Sequence, residues 1–190
     1  MTRWEPNARG RLQLAALELC SERGYDQTTV AEIANRAGLT ERTFFRYFAD
    51  KREVLFYGSG MLQERLVEGI AAAPEGMPPL DVVAASLEAA AEPIEEIRDF
   101  SRQRQAIVAA NPELRERELI KLAGLAAALT DALRGRGVAE PAASLAAEAG
   151  IAVFRIAFQC WVGQAGDSVE TLAQLIRQSM TELKTVAAAG

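Results

Sequence analysis

Residues 28–48 constrain the fold more than any other part of the chain. They read TTVAEIANRAGLTERTFFRYF, in which apolar residues recur at helical spacing as far as Gly38 and resume after Thr40. Threonine is a good N-cap residue, and glycine is favoured where a helix ends at positive φ. The stretch therefore predicts a helix, a tight turn and a second short helix. The apolar side of that second helix is expected to consist of Phe44, Phe45 and Phe48. Its polar first turn stays exposed, which is the form of a recognition helix.

A third helix is predicted just before this pair, over residues 9–23. Its apolar residues again share one stripe, so the three helices would form a small bundle. No stretch of the 190 residues alternates with period two for long, and alanine is abundant, so we expect an all-α chain. The predicted core of the small bundle consists of Leu19, Cys20, Ile33, Phe44 and Phe48.

The residue inventory excludes several kinds of site. The chain has no histidine, and its two cysteines, Cys20 and Cys160, are far apart, so Cys/His zinc sites and histidine-dependent nucleophiles are excluded. No metal or phosphate-loop motif is present, and we expect neither a cofactor nor an enzyme. No continuous apolar run approaches the ~18 residues of a membrane span, and the N-terminus does not resemble a signal peptide. We therefore expect a cytoplasmic protein that does not associate with membranes.

The acidic residues are concentrated in the C-terminal part. The formal charge of −5 divides into +1 for residues 1–57 and −6 for residues 58–190. Basic residues cluster in an N-terminal arm that contains Arg3 and around the second helix of the pair. Such a local basic surface suits phosphate binding, whereas the alternative is a solvated face of mixed charge.

The remainder of the chain is predicted to be helical, with breaks at proline and glycine. We expect a helix over 51–72, a loop over 73–79, a helix over 80–91 and another that Pro93 opens and that runs to residue 110. Further helices are predicted from Pro112 to about 133, from Pro141 to about 163, and from about 172 onward. This gives about nine helices, with a DNA-binding domain over 1–50 and a helical domain over 51–190.

The predicted helix at 141–163 has two apolar sides. The bulky side contains Phe154 and Trp161, and the other side contains mostly small residues that allow another helix to approach closely. One side would face the core and the other a second subunit. With the last helix it would form a four-helix dimer interface. The predicted interface residues are Leu145, Ala149, Ala152, Ile156, Leu172, Leu175, Ile176, Met180 and Leu183.

A ligand pocket is predicted among the C-terminal helices from weaker signals. Arg104 interrupts an apolar stripe, and a buried arginine needs an anionic partner, either a ligand carboxylate or a glutamate of the same chain. The aromatic residues are equally compatible with a packed core. The candidate ligand residues are Met61, Phe100, Arg104, Phe154, Phe158, Gln159 and Trp161.

Over residues 9–57 the chain resembles the TetR family of transcriptional regulators. The resemblance is carried by RGYDQTTVAEIANRAGLT and by TFFRYFADKREVL, whose spacing from TTV through AG to FFRYF and Lys51 is specific. Over 58–190 it extends only to the architecture. The resemblance implies an all-α fold and a homodimer that represses genes until a small molecule binds.

The resemblance also implies roles for individual residues. The positions of Thr29, Tyr47 and Lys51 contact phosphate in the family, and those of Arg42, Thr43 and Arg46 face the groove. Thr40 begins the recognition helix and completes the predicted DNA-binding set. Phe45 stands where tyrosine is common, which implies one phosphate hydrogen bond fewer.

These observations lead to one functional hypothesis and two alternatives. We expect a homodimeric repressor that binds a palindromic double-stranded DNA operator and is released by a small, largely apolar ligand. Arg42 or Arg46 would read guanine, a contact that discriminates by about 1–3 kcal/mol, and either is equally compatible with phosphate. The alternatives are a helical-bundle enzyme and a protein-binding adaptor without specific DNA recognition.

Overall fold

The structure is a computed structural model that describes residues 8–165 and 170–188. These residues form nine α-helices and one 3₁₀ helix, Arg52–Phe56, with no strand among them, which confirms the all-α prediction. The arm with Arg3 and the predicted break at 166–168 lie outside the described residues. The helices are α1 Ala8–Arg23, α2 Val30–Arg36, α3 Glu41–Tyr47, α4 Gly58–Ala72, α5 Pro79–Glu95, α6 Arg98–Ala110, α7 Pro112–Gly135, α8 Ala142–Gly163 and α9 Leu172–Ala188.

The chain divides into two compact units. The first unit comprises Met1–Gly58 and Arg102–Glu118, and the second comprises Ser59–Ser101 and Leu119–Gly190. Both boundaries of the inserted segment fall inside helices, one in α6 and one in α7. The domain division proposed from the sequence, after residue 50, stays a prediction.

The first unit is built on the predicted three-helix core. Leu19, Cys20, Ile33, Phe44 and Phe48 are each at most 5% exposed. Helix α1 packs on α2, and α2 packs on α3. The core predicted from helical spacing is therefore confirmed, and it fixes which side of α3 remains outside.

Two predicted helix boundaries are wrong. The helix expected over 51–72 is instead the 3₁₀ helix, a break at Tyr57 and then α4. Pro93 does not open a helix, because it lies in the last turn of α5, which continues to Glu95. A proline so near a helix end removes only one backbone donor, and the buried neighbours Ala90 and Ala91 keep the turn packed.

The second unit packs α5, α8 and α9 around one apolar core. Gly150 of α8 sits so close to Val83 of α5 that a Cβ there would collide with the valine side chain. Two charged residues satisfy helix ends next to this core. Arg98 donates to the carbonyls of Trp161 and Gln164 at 3.0 and 2.8 Å, and Glu95 accepts from the Leu172 N–H at 2.5 Å. Both charges agree with the helix dipoles that they face.

Helix α8 is long and apolar enough to cross a membrane by length and composition alone. An 18-residue stretch of this helix has a mean hydropathy of 1.4. By composition, therefore, the prediction that no segment approaches a membrane span is wrong. Half of that window is buried inside the protein. Its bulky stripe is core, with Ile151, Phe154 and Trp161 buried, as predicted for one of its two apolar sides.

Candidate nucleic-acid interface

Helix α2 begins with a complete capping box. The Thr29 hydroxyl accepts from the Glu32 N–H at 3.3 Å, and the Glu32 carboxylate accepts from the Thr29 N–H at 2.9 Å. The Thr29 hydroxyl also donates to the Glu32 carboxylate at 2.8 Å, and this bond contributes most to lowering the pKa of Glu32. Thr28 has a different function, because its buried hydroxyl donates to the Gly24 carbonyl at 2.9 Å. Thr29 is therefore the cap, and it remains exposed at the helix end.

The turn between α2 and α3 is closed by glycine and threonine. Gly38 has a φ of +67°, which a side chain would strain, and the Leu39 N–H reaches back to the Ala34 carbonyl at 2.8 Å. The Thr40 hydroxyl accepts from the Thr43 N–H at 3.2 Å and lies 3.0 Å from the Thr43 hydroxyl. Both hydroxyls thus have partners in the protein, and they fix the direction in which α3 leaves the turn.

Helix α3 separates an inner aromatic side from an outer basic side. Phe44 and Phe48, one turn apart, are buried with ring centroids 5.3 Å apart. Phe45 is 55% exposed, so its predicted place on the apolar side is wrong. Residue 45 lies about 100° around the helix from residue 44 and shares the outer side with Arg42 and Arg46, which are exposed.

The arginines on α1 and α2 have carboxylate partners. Arg36 binds Glu22 at 2.9 Å and Glu18 at 3.3 Å, and Arg23 binds Glu32 at 2.9 Å. The bonds from Arg36 lower the pKa of Glu22. Each of these arginines is therefore balanced by acids of the other helix, and the ion pairs join α1 to α2.

The arginines at the outer side of α3 have no such partner. Among the described residues, Arg42 and Arg46 form no ion pair, and neither does Arg9 in the first turn of α1. Arg46 instead donates to the Tyr47 hydroxyl at 3.0 Å. The predicted groove-facing residues thus carry uncompensated positive charge, which is what a phosphate backbone or a guanine edge requires.

Lys51 serves the fold of the unit directly. Its ammonium donates to the carbonyls of Tyr25 and Thr28, both at 3.0 Å, and lies 3.9 Å from the centroid of the Tyr25 ring. It thereby holds the segment that leads into the cap of α2. An ammonium has three donors, so one remains for the phosphate contact that the resemblance implies. The sequence carried no local signal for these two carbonyl bonds, which join residues 23 and 26 positions apart.

The turn after α3 is closed by a carboxylate. Asp50 accepts from the N–H groups of Arg52 and Glu53 at 2.8 and 3.1 Å, and it pairs with the Arg52 guanidinium at 2.7 Å. The bond from Arg52 is the main reason why the pKa of Asp50 is lowered. This carboxylate is therefore balanced and does not offset the charge of α3.

Arg104, predicted as a ligand residue, has partners inside the first unit. It donates to the Leu55 carbonyl at 2.7 Å and to Glu118 at 3.3 Å, and its guanidinium lies 4.7 Å from the Phe56 ring centroid. Burial lowers the pKa of this guanidinium. Arg117 forms a second such link, an ion pair with Glu53. Of the two partners predicted for Arg104, the glutamate of the same chain is present.

The remaining ligand candidates are only partly brought together. Phe158 lies 5.9 Å from Phe154 and 5.7 Å from Trp161 by ring centroids, and those two outer rings are buried in the core. Met61 and Gln159 are exposed, and Phe100 is half-buried. A groove of about 420 Å³ between α5 and α9 is lined by other residues, among them the ion pair of Arg177 with Glu88. The aromatic stripe therefore acts as core in this structure.

The predicted dimer residues fall into two groups. Leu172, Leu175, Ile176 and Met180 are buried within their own protomer, where helix α9 packs on α5 and α8, and their part in an interface stays a prediction. Leu183 is half-buried against the same core. Four residues of α8 remain at the surface or partly exposed, namely Leu145, Ala149, Ala152 and Ile156.

Comparison with known proteins supports the interpretation of α2 and α3 as a DNA-binding helix-turn-helix. Residues 14–57 match the family model of bacterial regulatory proteins, tetR family. The chain is 36% identical to the HTH-type transcriptional regulator TcmR of Streptomyces glaucescens over 81 aligned residues. The aligned residues make up 43% of this chain and 36% of the length of TcmR. Among the described residues, no group of three or more His, Cys, Asp or Glu side chains is placed to hold a metal ion.

Solved structures extend the likeness in fold to most of the chain. FadR of Bacillus subtilis, in complex with stearoyl-CoA, is 22% identical with a TM-score of 0.62, and the match covers 92% of this chain and 96% of that one. FadR of Thermus thermophilus, in complex with lauroyl-CoA, is 24% identical with a TM-score of 0.55, and 93% of each chain is covered. The capped helix pair lies inside the segment that matches the family model: residues 14–57 carry the helix-turn-helix of the TetR family of bacterial regulatory proteins. The rest of the chain is similar to the solved structures in fold.

Proposed function

We propose that this regulator is a homodimeric repressor that binds a palindromic DNA operator and is released by a small, largely apolar ligand. The observation that carries the proposal is the outer side of α3, where Arg42 and Arg46 are exposed without a carboxylate partner on a helix fixed by the Thr40 cap. A rigid helix with free guanidinium groups is suited to the major groove. The proposed DNA contacts are those of Thr29, Thr40, Arg42, Thr43, Arg46, Tyr47 and Lys51.

Selection of bound duplexes from a random pool, at moderate salt with the purified protein, tests DNA recognition. We expect an enriched palindrome whose half-sites are about one helical turn apart, ~34–36 Å. Binding to the enriched duplex should weaken steeply as salt is raised, because phosphate contacts release counterions. A folded protein that enriches no sequence would contradict the proposal and favour the adaptor alternative.

The homodimer is proposed to form through the outer stripe of α8. Leu145 is 66% exposed and Ile156 is 50% exposed, and Ala149 and Ala152 lie between them at helical spacing. Such a stripe allows close approach of the same helix from a second copy. Ile156→Glu should therefore yield monomers in light scattering and weaken operator binding. Ala123→Glu, at an exposed position of α7, is the control and should remain dimeric.

The effector is proposed to be apolar because pockets between helices are mostly apolar and because Phe158 adjoins two other aromatic rings. Release requires that the ligand binds the free protein more tightly than the operator-bound protein. Stearoyl-CoA, present in the FadR structure from Bacillus subtilis, joins an apolar acyl chain to a charged nucleotide and is a first probe beside a panel of apolar compounds. A compound that binds both forms with equal affinity would contradict release by that compound. We place this regulation in the cytoplasm.

A further inference from the structure

Two guanidinium groups share one tyrosine ring at the C-terminal end of α3. The Arg46 Cζ atom lies 4.8 Å from the centroid of the Tyr47 ring, and Arg46 also donates to the Tyr47 hydroxyl at 3.0 Å. Arg9, from the first turn of α1, lies 5.2 Å from the same centroid and 5.4 Å from that of Tyr57. The Tyr57 ring in turn contacts buried Phe48 edge-on at 6.1 Å. Aromatic rings anchored to the core thus hold both cations in place.

Within the part of the chain that the structure describes, no carboxylate balances the charge of this cluster. Neither Arg9 nor Arg46 forms an ion pair among the described residues, and the carboxylates that follow α3, Asp50 and Glu53, are bonded to Arg52 and Arg117. A cation–π contact at an exposed site is only weakly stabilising. Two like charges on one ring repel each other, and a cation in the first turn of α1 also opposes its helix dipole. An anion bound between them would relieve both penalties.

We propose that Arg9, Arg46 and Tyr47 form one phosphate-binding site for the DNA backbone, and that Arg42 is the arginine of α3 that reads a base. A phosphate offers several acceptor oxygens, which suits two guanidinium groups and a phenol on one cluster. A guanine edge offers two acceptors to a single guanidinium and gains nothing from the second cation. Arg42 lies one turn earlier on the exposed side and has no partner among the described residues. This inference rests on the DNA binding proposed above.

Three variants that each lose one positive charge test this assignment of phosphate and base contacts. Each is measured on the duplex that the wild-type protein selects. Arg9→Gln and Arg46→Gln should weaken binding to all sequences alike and reduce the slope of log K against log salt by about 1. Arg42→Gln should reduce discrimination at one base pair by roughly tenfold or more. Thermal melting of each variant shows that it is folded. Arg9→Lys keeps the charge and should retain most of the salt slope.

Neutral methylphosphonates placed one at a time in the duplex locate the contact. We expect that neutralising the contacted phosphate weakens wild-type binding more than it weakens binding by Arg9→Gln or by Arg46→Gln, because each variant has already lost one of the two guanidinium groups at that phosphate. Tyr47→Phe, which keeps the ring and removes the hydroxyl, should weaken binding at the same phosphate. The inference is overturned if Arg46→Gln changes base preference, or if Arg9→Gln binds with wild-type affinity and salt slope. If the wild-type protein selects no duplex, the proposed function fails before this step.

Discussion

The first unit contains two kinds of arginine that the sequence does not distinguish. Arg23 of α1 and Arg36 of α2 are each bound at 2.9 Å to a carboxylate of the other helix. Arg42 and Arg46, on α3, have no carboxylate partner among the described residues, although α3 carries Glu41 in its first turn. The two groups lie on neighbouring short helices of one compact unit, and all four residues are exposed.

The comparison shows that what distinguishes a structural arginine from a DNA-binding one is whether a carboxylate of the protein pairs with it. The presence of an exposed arginine is not enough. An exposed ion pair contributes about 0–1 kcal/mol to stability, so the paired arginines mainly neutralise charge and orient α1 and α2. A guanidinium without a carboxylate partner keeps its charge and most of its five donors for an external acceptor. The net charge of residues 1–57, close to zero, conceals this division.

The largest expected effect is on a paired arginine that is also buried. Arg104→Met should destabilise the protein by about 3 kcal/mol, because it leaves the Leu55 carbonyl and Glu118 without their donor in a largely desolvated place. Arg46→Met, at an exposed residue, should remain within about 0.5 kcal/mol of the wild-type protein. Urea unfolding of both variants measures the difference, and equal losses would remove the distinction between the two kinds of arginine.

A smaller effect is expected at the cap that orients the unpaired arginines. Thr40→Ala should lower the free energy of unfolding by about 1 kcal/mol, since the Thr43 N–H loses its acceptor. Thr40→Ser keeps the hydroxyl and should restore most of that loss. If both variants have wild-type stability but bind the operator poorly, Thr40 acts on DNA alone and the cap is not what fixes α3.

The smallest expected effect is on the pH dependence of stability, through the Glu32 carboxylate of the capping box. The pKa of Glu32 is lowered from its ordinary value of 4.5, so its contribution to stability is present above that value and is lost as pH falls through the lowered pKa. Glu32→Gln should therefore flatten the decline in unfolding free energy between about pH 5 and 3. Glu41→Gln, which removes a carboxylate without a bonded partner among the described residues, is the matched control. An equal change in both variants would contradict a specific role for the capping box.

Sequence reasoning succeeded where the signal is local. The caps at Thr29 and Thr40, the end of α2 at Gly38 and the buried aromatic pair of α3 all depend on residues within one or two helical turns. Phe45 was misplaced because it lies about 100° around α3 from Phe44, at the edge of the apolar side, and spacing alone does not show where that side ends.

Sequence reasoning failed where the partner is distant along the chain. The carbonyl bonds of Lys51, the bond from Arg104 to Leu55 and the cap that Glu95 provides for α9 join residues from 23 to 77 positions apart. No periodicity marks such contacts, because they arise only when helices are packed. The same reason explains why residues of α9 were predicted to lie in the dimer interface, since an apolar stripe does not reveal which helix packs against it.

The most direct test of this account compares two variants with the same change of charge. Arg42→Gln and Arg36→Gln each remove one exposed cation, the first unpaired and the second bound to Glu18 and Glu22. Equilibrium binding to the selected duplex at fixed salt should weaken at least tenfold for Arg42→Gln, and Arg36→Gln should bind as the wild-type protein does. Equal weakening in both variants would mean that bulk charge alone drives DNA binding, and it would contradict the central claim that unpaired arginines on α3 recognise DNA.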